Sequence, residues 1–226
     1  ASNTLFAGPI NCLGNGDFKD CVLRGAVSAK GGSNIKFNSC DLEELSVTGS
    51  VDAEMSQITK KITVNNGGLL KIMGGSCSCG EMLVKSGGAL EVDSGDHSFG
   101  GTITAEPESK LTLSGGFYSE IAAQSGAKLT ISGGEFLNVT VNGQRLVDCL
   151  AEGKAFEDMN NGVIIDGRVS IAGPVQVVDH THTCVWKTST HEKLCGCGYV
   201  EAVDTEAPVI SGIDPENNHY GSLEFT

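Results

Sequence analysis

The sequence predicts an all-β chain: a right-handed parallel β-helix (β-solenoid) with a short helical cap segment and a small Cys/His-rich hairpin. Three observations carry this. Between Ile62 and Val141 nearly the same phrase is written four times, as ITVNNGGLLKIMGG, LVKSGGALEVDSG, ITAEPESKLTLSGG and AAQSGAKLTISGG. Leu70, Leu90, Leu111 and Leu129 open the second strand of each phrase and fall 20, 21 and 18 positions apart, a period suited to one coil of a solenoid and too short for a domain. Within each second strand apolar residues alternate with polar ones, as in Leu129-Thr130-Ile131-Ser132, so one face turns inward and the other meets water. Glycines follow each strand (Gly74 and Gly75, Gly95, Gly115 and Gly116, Gly133 and Gly134), where the path must bend and positive φ costs glycine nothing.

Taken in order, residues 1–21 read as an irregular N-terminal cap over the open end of the stack, since an uncovered edge would template aggregation. Cys12 and Cys21 flank LGNGDFKD, whose Asn15-Gly16 signals a turn, and form a candidate disulfide across that end; two buried thiols are the alternative. Residues 22–179 form the solenoid. The repeat is degenerate from Val22 to Lys61, where two further coils are read from Ile35 and Phe37 and from Val51, Ala53 and Met55. With the four clear ones they give six coils, a rod about 30 Å long at the parallel-strand spacing. Cys77, Cys79 and His97 could hold a metal, but three soft ligands lacking a clear fourth are read as core. Phe117, Tyr118 and Phe136, at the same bend, are read as stacked core or surface aromatics rather than a sugar platform. Near 144–152, Leu146, Val147 and Leu150 stand at helical spacing and Gly153 stops a cap helix after about two turns; VIIDGRVSIAGPVQVV then supplies strands that finish the stack.

Residues 180–203, the Cys/His-rich hairpin, hold the most chemical stretch. His180, His182, Cys184, His191, Cys195 and Cys197 are soft or borderline ligands within 18 positions. The candidate zinc set is His182, Cys184, His191, Cys195 and Cys197. The alternative is a disulfide from Cys184 to Cys195 or Cys197, because Cys-Gly-Cys is not the two-residue gap of common zinc knuckles. Beyond possible zinc no cofactor is expected.

The SGG-containing coils, RLVDCLAEGKAF, HTHTCVW, CGCGYVEAVD and DTEAPVISGI together resemble secreted surface proteins of gut-dwelling Gram-positive anaerobes, in which such modules precede bacterial immunoglobulin-like domains. The resemblance covers most of residues 62–213. It implies an extracellular location, secreted or attached to the cell surface, and makes 204–226, with Pro208 and Pro215, a linker and the start of a truncated immunoglobulin-like domain. The chain starts at Ala1 without a signal-peptide pattern, as a mature protein or an excised piece would.

Charge and composition bound the function. A formal net charge of −13 argues against nucleic acid as a partner, because counterion release needs clustered Lys and Arg. No apolar run reaches the roughly 18 residues of a spanning helix, so no membrane insertion is expected. Catalysis is not expected either: Glu43, Glu44, Glu54 and Glu91 are scattered over outward positions, and β-helix polysaccharide enzymes need clustered groups on long loops. The expected function is an extracellular, monomeric binding module that recognises a host macromolecule, a mucin glycan or an immunoglobulin bound in the manner of a superantigen. Its binding face is the outward surface carrying Lys110, Thr112, Lys128 and Thr130. A structural stalk is the alternative, and a polysaccharide-active enzyme the second.

Overall fold

The computed structural model describes residues 1–165, 170–187 and 189–205. It is a parallel β-solenoid of about eight turns. Each coil gives one strand to a seven-stranded sheet and one to a longer sheet. The seven-stranded sheet stacks Gly16–Lys19, Asn34–Asn38, Ser50–Glu54, Leu69–Met73, Ala89–Val92, Lys110–Leu113 and Lys128–Ile131, all parallel and in register. Leu70, Leu90, Leu111 and Leu129 form one inward column, extended downward by Val51 and Ile35. Burial is the reason: Leu70 and Leu90 are fully buried, Leu111 almost so, while Leu129 nears the end of the stack. Phe37, Ala53, Ile72, Val92, Leu113 and Ile131 make the second column.

The longer sheet runs through Val22–Ala29, Asp41–Val47, Gln57–Val64, Ser78–Val84, Ser98–Ala105, Phe117–Ala123 and Glu135–Val141. Its strands bend after the second residue, with one residue at the bend (Gly80, Ser119) or two (Thr59-Lys60, Gly100-Gly101), so the register slips and recovers from coil to coil. Phe99, Tyr118 and Phe136 stack inside this sheet, rings nearly parallel at 4.7 and 4.9 Å, while Phe117 next to Tyr118 points the other way and is half-buried. The buried Tyr118 hydroxyl donates to Gly115 O (2.6 Å). Tyr118 and Phe136 are stacked core, with Phe99 completing the stack, and Phe117 stands outside it.

The corners absorb differences in coil length. Five residues lead from Leu113 to Tyr118 and from Ile131 to Phe136, but seven lead from Ile72 to Cys79 and from Val92 to Phe99. On the opposite corner Val47 reaches Val51 in four residues, whereas Val84 reaches Leu90 in six. Successive coils from Ile35 through Val51, Leu70, Leu90, Leu111 and Leu129 therefore span 16, 19, 20, 21 and 18 residues on a single pitch. Corner glycines serve two purposes. Gly134 takes φ +109°, as the bend requires, whereas Gly133 is needed for close approach, since a Cβ there would lie 2.4 Å from Ser114 O.

Three expectations are corrected. Residues 1–21 are not an irregular cap: Gly16–Lys19 begins the seven-stranded sheet, and Leu5–Phe6 and Ile10–Cys12 pair in parallel with Val22–Ala29. Ala1 O accepts from Lys19 N–H (2.9 Å) and Asn3 N–H donates to Lys19 O (3.0 Å), so residues 1–3 carry on the ladder of Gly16–Lys19. Hence there are about eight coils rather than six. The cap helix is a single 3-10 turn, Leu146–Cys149, because Leu150 is already extended and Ala151 N–H donates to Ile131 O (2.7 Å), which prolongs the sheet instead of the helix. The stack then closes with reversed strands: Ser170–Asp179 runs antiparallel to Glu135–Val141 and to Lys154–Asp158. The linker and immunoglobulin-like start expected over 204–226 lie, from residue 206 onward, outside the described residues.

The nine cysteines are free thiols in the structure. A Cys12–Cys21 bridge is excluded by the coil path. Cys12 stacks beside Ala29 at one end of Val22–Ala29 and Cys21 precedes the other end, so most of that strand lies between them, and even with its bend this is more than the roughly 4.4–6.8 Å between Cα atoms that a disulfide spans. Two buried thiols, the alternative reading, is what forms.

Candidate metal centre

Where the solenoid ends, the chain makes a small antiparallel sheet of Cys184–Lys187, Glu192–Cys195 and Val200–Val203. After Cys195 the sequence Cys-Gly-Cys-Gly-Tyr turns tightly: Gly198 N–H donates to Cys195 O (3.0 Å), Cys195 N–H to Tyr199 O (2.9 Å), and Gly198 has φ +87°. This brings both thiols to one side. Before the first strand, His180 N–H donates to Gly153 O (2.8 Å), which fastens His180 and His182 over the same point. The result is a group of four, His180, His182, Cys195 and Cys197, whose ligand atoms all lie within 4.8 Å of one another and which could hold a metal ion. His180 Nε2 is 3.3 Å from Cys195 Sγ, and His182 Nδ1 is 3.3 Å from Cys197 Sγ. Fully buried Ala155 backs the two sulfurs, and the Tyr199 ring stacks on His182 at 4.2 Å.

The electrostatics suit a ligand set. Burial pushes the Cys195 thiol up, but the Cys197 N–H, His180, His182 and the Cys197 thiol outweigh it and bring it down to about 6. Burial raises Cys197 to about 11, and the neighbouring Cys195 charge adds to that. A lowered thiol beside two histidines favours the thiolate form that a metal ligand must take.

Three of the five sequence-predicted ligands, His182, Cys195 and Cys197, belong to the group; Cys184 and His191 do not. His191 sits in the turn that opens the hairpin, at φ +54°, four residues along the strand from Cys195 and therefore roughly 13 Å away. Cys184 stands directly opposite Cys195 in the ladder, but its thiol pairs with Glu201; burial and that carboxylate raise it. No Cys184–Cys195 or Cys184–Cys197 bridge is formed. His180 takes the fourth position. The matched His-x-His and Cys-x-Cys spacings were the available signal, since two ligands at each end of one hairpin can converge where four spread along it cannot. A cleft of about 540 Å³ beside the group is lined by His182, Cys184, Cys197, Tyr199, Glu152 and Lys154.

Lys110 stacks on Lys128 and Thr112 on Thr130, in adjacent outward columns of the seven-stranded sheet, all four exposed. Sequence reading missed what continues the threonine column: Asp17, Lys36, Asp52, Lys71 and Glu91 alternate in sign coil by coil, with Lys71 Nζ 3.0 Å from Glu91. Only the register shows it. Cys77, Cys79 and His97 do not converge on a metal. Cys79 is an inward residue beneath Phe99, and burial pushes it up to about 12. Cys77 and His97 belong to a corner column, Cys21, Cys40, Ser56, Cys77 and His97, in which the side chains of Ser56, Cys77 and His97 each accept from a backbone N–H of the coil before. Cys40 N–H donates to Ser56 Oγ (3.1 Å), Ser56 N–H to Cys77 Sγ (3.4 Å) and Cys77 N–H to His97 Nδ1 (3.3 Å). Because Nδ1 accepts, the His97 proton sits on Nε2, which donates to Asp93 Oδ1 (2.6 Å). Every buried side-chain nitrogen and oxygen among the described residues has such a partner.

No protein-family model, curated protein or solved structure matches this chain.

Proposed function

We propose that the chain is a rigid, non-catalytic recognition module of a secreted or surface-attached protein, monomeric, whose terminal hairpin is stapled by one zinc ion. The observation that carries the reading is the outward surface of the seven-stranded sheet, where Lys110 and Lys128, Thr112 and Thr130, and the alternating charges from Asp17 to Glu91 repeat at one fixed spacing. Such a surface is broad and polar and offers a macromolecule many weak contacts held in register. The carboxylates that an enzyme would need are spread out instead, and Glu43 is engaged with Lys60 (2.7 Å). A host immunoglobulin or a mucin glycan is the partner that the resemblance suggests.

Zinc suits the four ligands. A tetrahedral ion with bonds of about 2.0–2.3 Å separates its ligand atoms by about 3.3–3.8 Å, close to the spacing found, and two imidazoles with two thiolates are a familiar structural set. With four protein ligands no position is left open for a reacting water, so the ion would hold the hairpin rather than catalyse.

Two measurements test the reading. Surface plasmon resonance against human immunoglobulin fragments and purified mucin should give saturable binding that Lys110→Glu and Lys128→Glu weaken without altering the melt; no binding up to about 100 μM, a Kd worth about −5.5 kcal/mol, would assign the module to a stalk. Native mass spectrometry should find one zinc, lost in His180→Ala or Cys197→Ser. A metal-free protein whose peptide map joins Cys184 to Cys195 or Cys197 would replace the zinc staple by a disulfide.

A further inference from the structure

We infer that Cys21 and Cys40 are a modification site: an inter-coil disulfide pair that locks the N-terminal coils of the solenoid together. The two residues are the lowest rungs of the corner column, in adjacent parallel coils. They stand immediately before register partners, Val22 and Asp41, and Asp41 N–H donates to Cys21 O (2.9 Å). Coils stack about 4.8 Å apart, inside the Cα separation of roughly 4.4–6.8 Å that a disulfide spans. Both side chains turn into the same corner. Cys21 Sγ donates to Lys19 O (3.2 Å), and Cys40 Sγ lies 3.3 Å from both Phe18 O and Asn38 O. The Cys21 N–H and thiol are among the groups that act on the Cys40 thiol, as neighbours in one corner do.

Higher in the column the same position changes chemistry. Ser56 follows Cys40, Cys77 sits above Ser56, and His97 above Cys77, so Cys21 and Cys40 are the one place in this ladder where two sulfurs are consecutive. A serine would cap a backbone N–H as well as a thiol does, as Ser56 shows. The position is also where a covalent link has most to do. The strands before Cys21 are short, Leu5–Phe6 and Ile10–Cys12, with Leu5 and Leu13 exposed, and short, partly exposed strands open more readily than the long buried ones that follow.

The link forms by thiol–disulfide exchange with a small-molecule disulfide such as oxidised glutathione. One protein thiolate attacks the glutathione disulfide, giving a mixed disulfide and one glutathione thiolate. The second protein thiolate then displaces the remaining glutathione. Two protein thiols are oxidised, one glutathione disulfide is reduced to two thiols, and protons balance. Both cysteines are 1% exposed, so exchange proceeds through local opening of the first coils, and the product is shielded once they close.

Trypsin separates the candidates cleanly, because Cys12, Cys21 and Cys40 fall on three peptides: residues 1–19, DCVLR, and FNSCDLEELSVTGSVDAEMSQITK. The protein is equilibrated in glutathione buffers of rising oxidation, with and without about 1 M urea to promote end opening, then acid-quenched, alkylated and mapped without reductant. The expected result is DCVLR joined to the Cys40 peptide, unchanged in Cys12→Ser and lost in Cys40→Ser. The melting temperature of the oxidised protein should rise by about 5–10 °C and fall back with dithiothreitol. A Cys12–Cys21 peptide, both thiols still alkylated in the most oxidising buffer with urea, or a linked protein that melts no higher would each overturn the inference.

Discussion

Replacing Leu111 tests the inward column at its most constrained point. Leu111 is 1% exposed and stacks in register between Leu90 and Leu129. Leu111→Ala removes most of a buried side chain, for which transfer and cavity costs together run from about 2 to 5 kcal/mol. The upper half of that range applies here. The coils above and below are fixed by the ladders of two sheets, so the void cannot shrink by bringing Leu90 and Leu129 together. For a chain of this size about 2–4 °C of melting temperature goes with each kcal/mol, which places the drop at about 6–20 °C. Leu111→Asp adds a carboxyl group with no partner in that column and should exceed about 5 kcal/mol, a large part of the stability of an ordinary domain. Lys110→Glu, one residue away and facing out, serves as the control. Thermal and urea unfolding followed by circular dichroism read all three. If Leu111→Asp melts within about 2 °C of the parent, or if Lys110→Glu costs as much as Leu111→Ala, the inward and outward faces have been misassigned.

Other expectations concern single groups. Tyr118→Phe keeps the ring between Phe99 and Phe136 but leaves Gly115 O without its donor, so the urea midpoint should fall by the equivalent of about 1–3 kcal/mol; an unchanged midpoint would mean that water replaces the hydroxyl. At pH 7 without metal, Cys195 should be alkylated by iodoacetamide ahead of the more exposed Cys184, and added zinc should protect it; the reverse order would contradict the lowered Cys195 thiol. Burial raises the Asp93 carboxyl, but hydrogen bonds from His97, Gly74 N–H and Gly95 N–H outweigh it, so it is held below the ordinary carboxylate range. A depressed acid stabilises the fold above its unfolded pKa of about 3.9, and that contribution is lost as pH falls through the folded value. Acid titration of Asp93→Asn should accordingly show a shallower loss of stability below about pH 4 than the parent, and parallel curves would assign the acid sensitivity elsewhere.

How much of this could be read from the residues depended on whether a local rule survived the corners. The column of Leu70, Leu90, Leu111 and Leu129 was legible because strand alternation is local and the leucines sit at the start of each strand. The first coils were less so: the corner from Val47 to Val51 is two residues shorter than that from Val84 to Leu90, which breaks the period, and Phe18 and Phe37 replace the aliphatic residues of later coils. The column from Cys21 to His97 could not be read at all, since one- and two-residue bends shift its spacing irregularly. At the metal centre the ligand types were visible, but choosing His180 over His191 required knowing where the hairpin turns, and Cys184 is set aside because its thiol, on the same face as Cys195, engages Glu201, a cross-strand pairing that only the register shows. The cap helix failed for another reason: helical spacing of Leu146, Val147 and Leu150 is a weak preference, and the free ladder of Lys128–Ile131 offered Leu150 and Ala151 a hydrogen-bonded alternative.

The unequal coils on a common pitch have a mechanical consequence. If the chain were held by its ends and pulled, each coil leaving the stack would add its own circumference to the free length and nothing else. Coils of 16, 19, 20, 21 and 18 residues would release about 5.3–7.6 nm apiece at the roughly 3.3–3.6 Å that an extended residue covers. A force trace would carry steps whose lengths name the coil that has just come away, and so record in which order, and from which end, the rod unwinds.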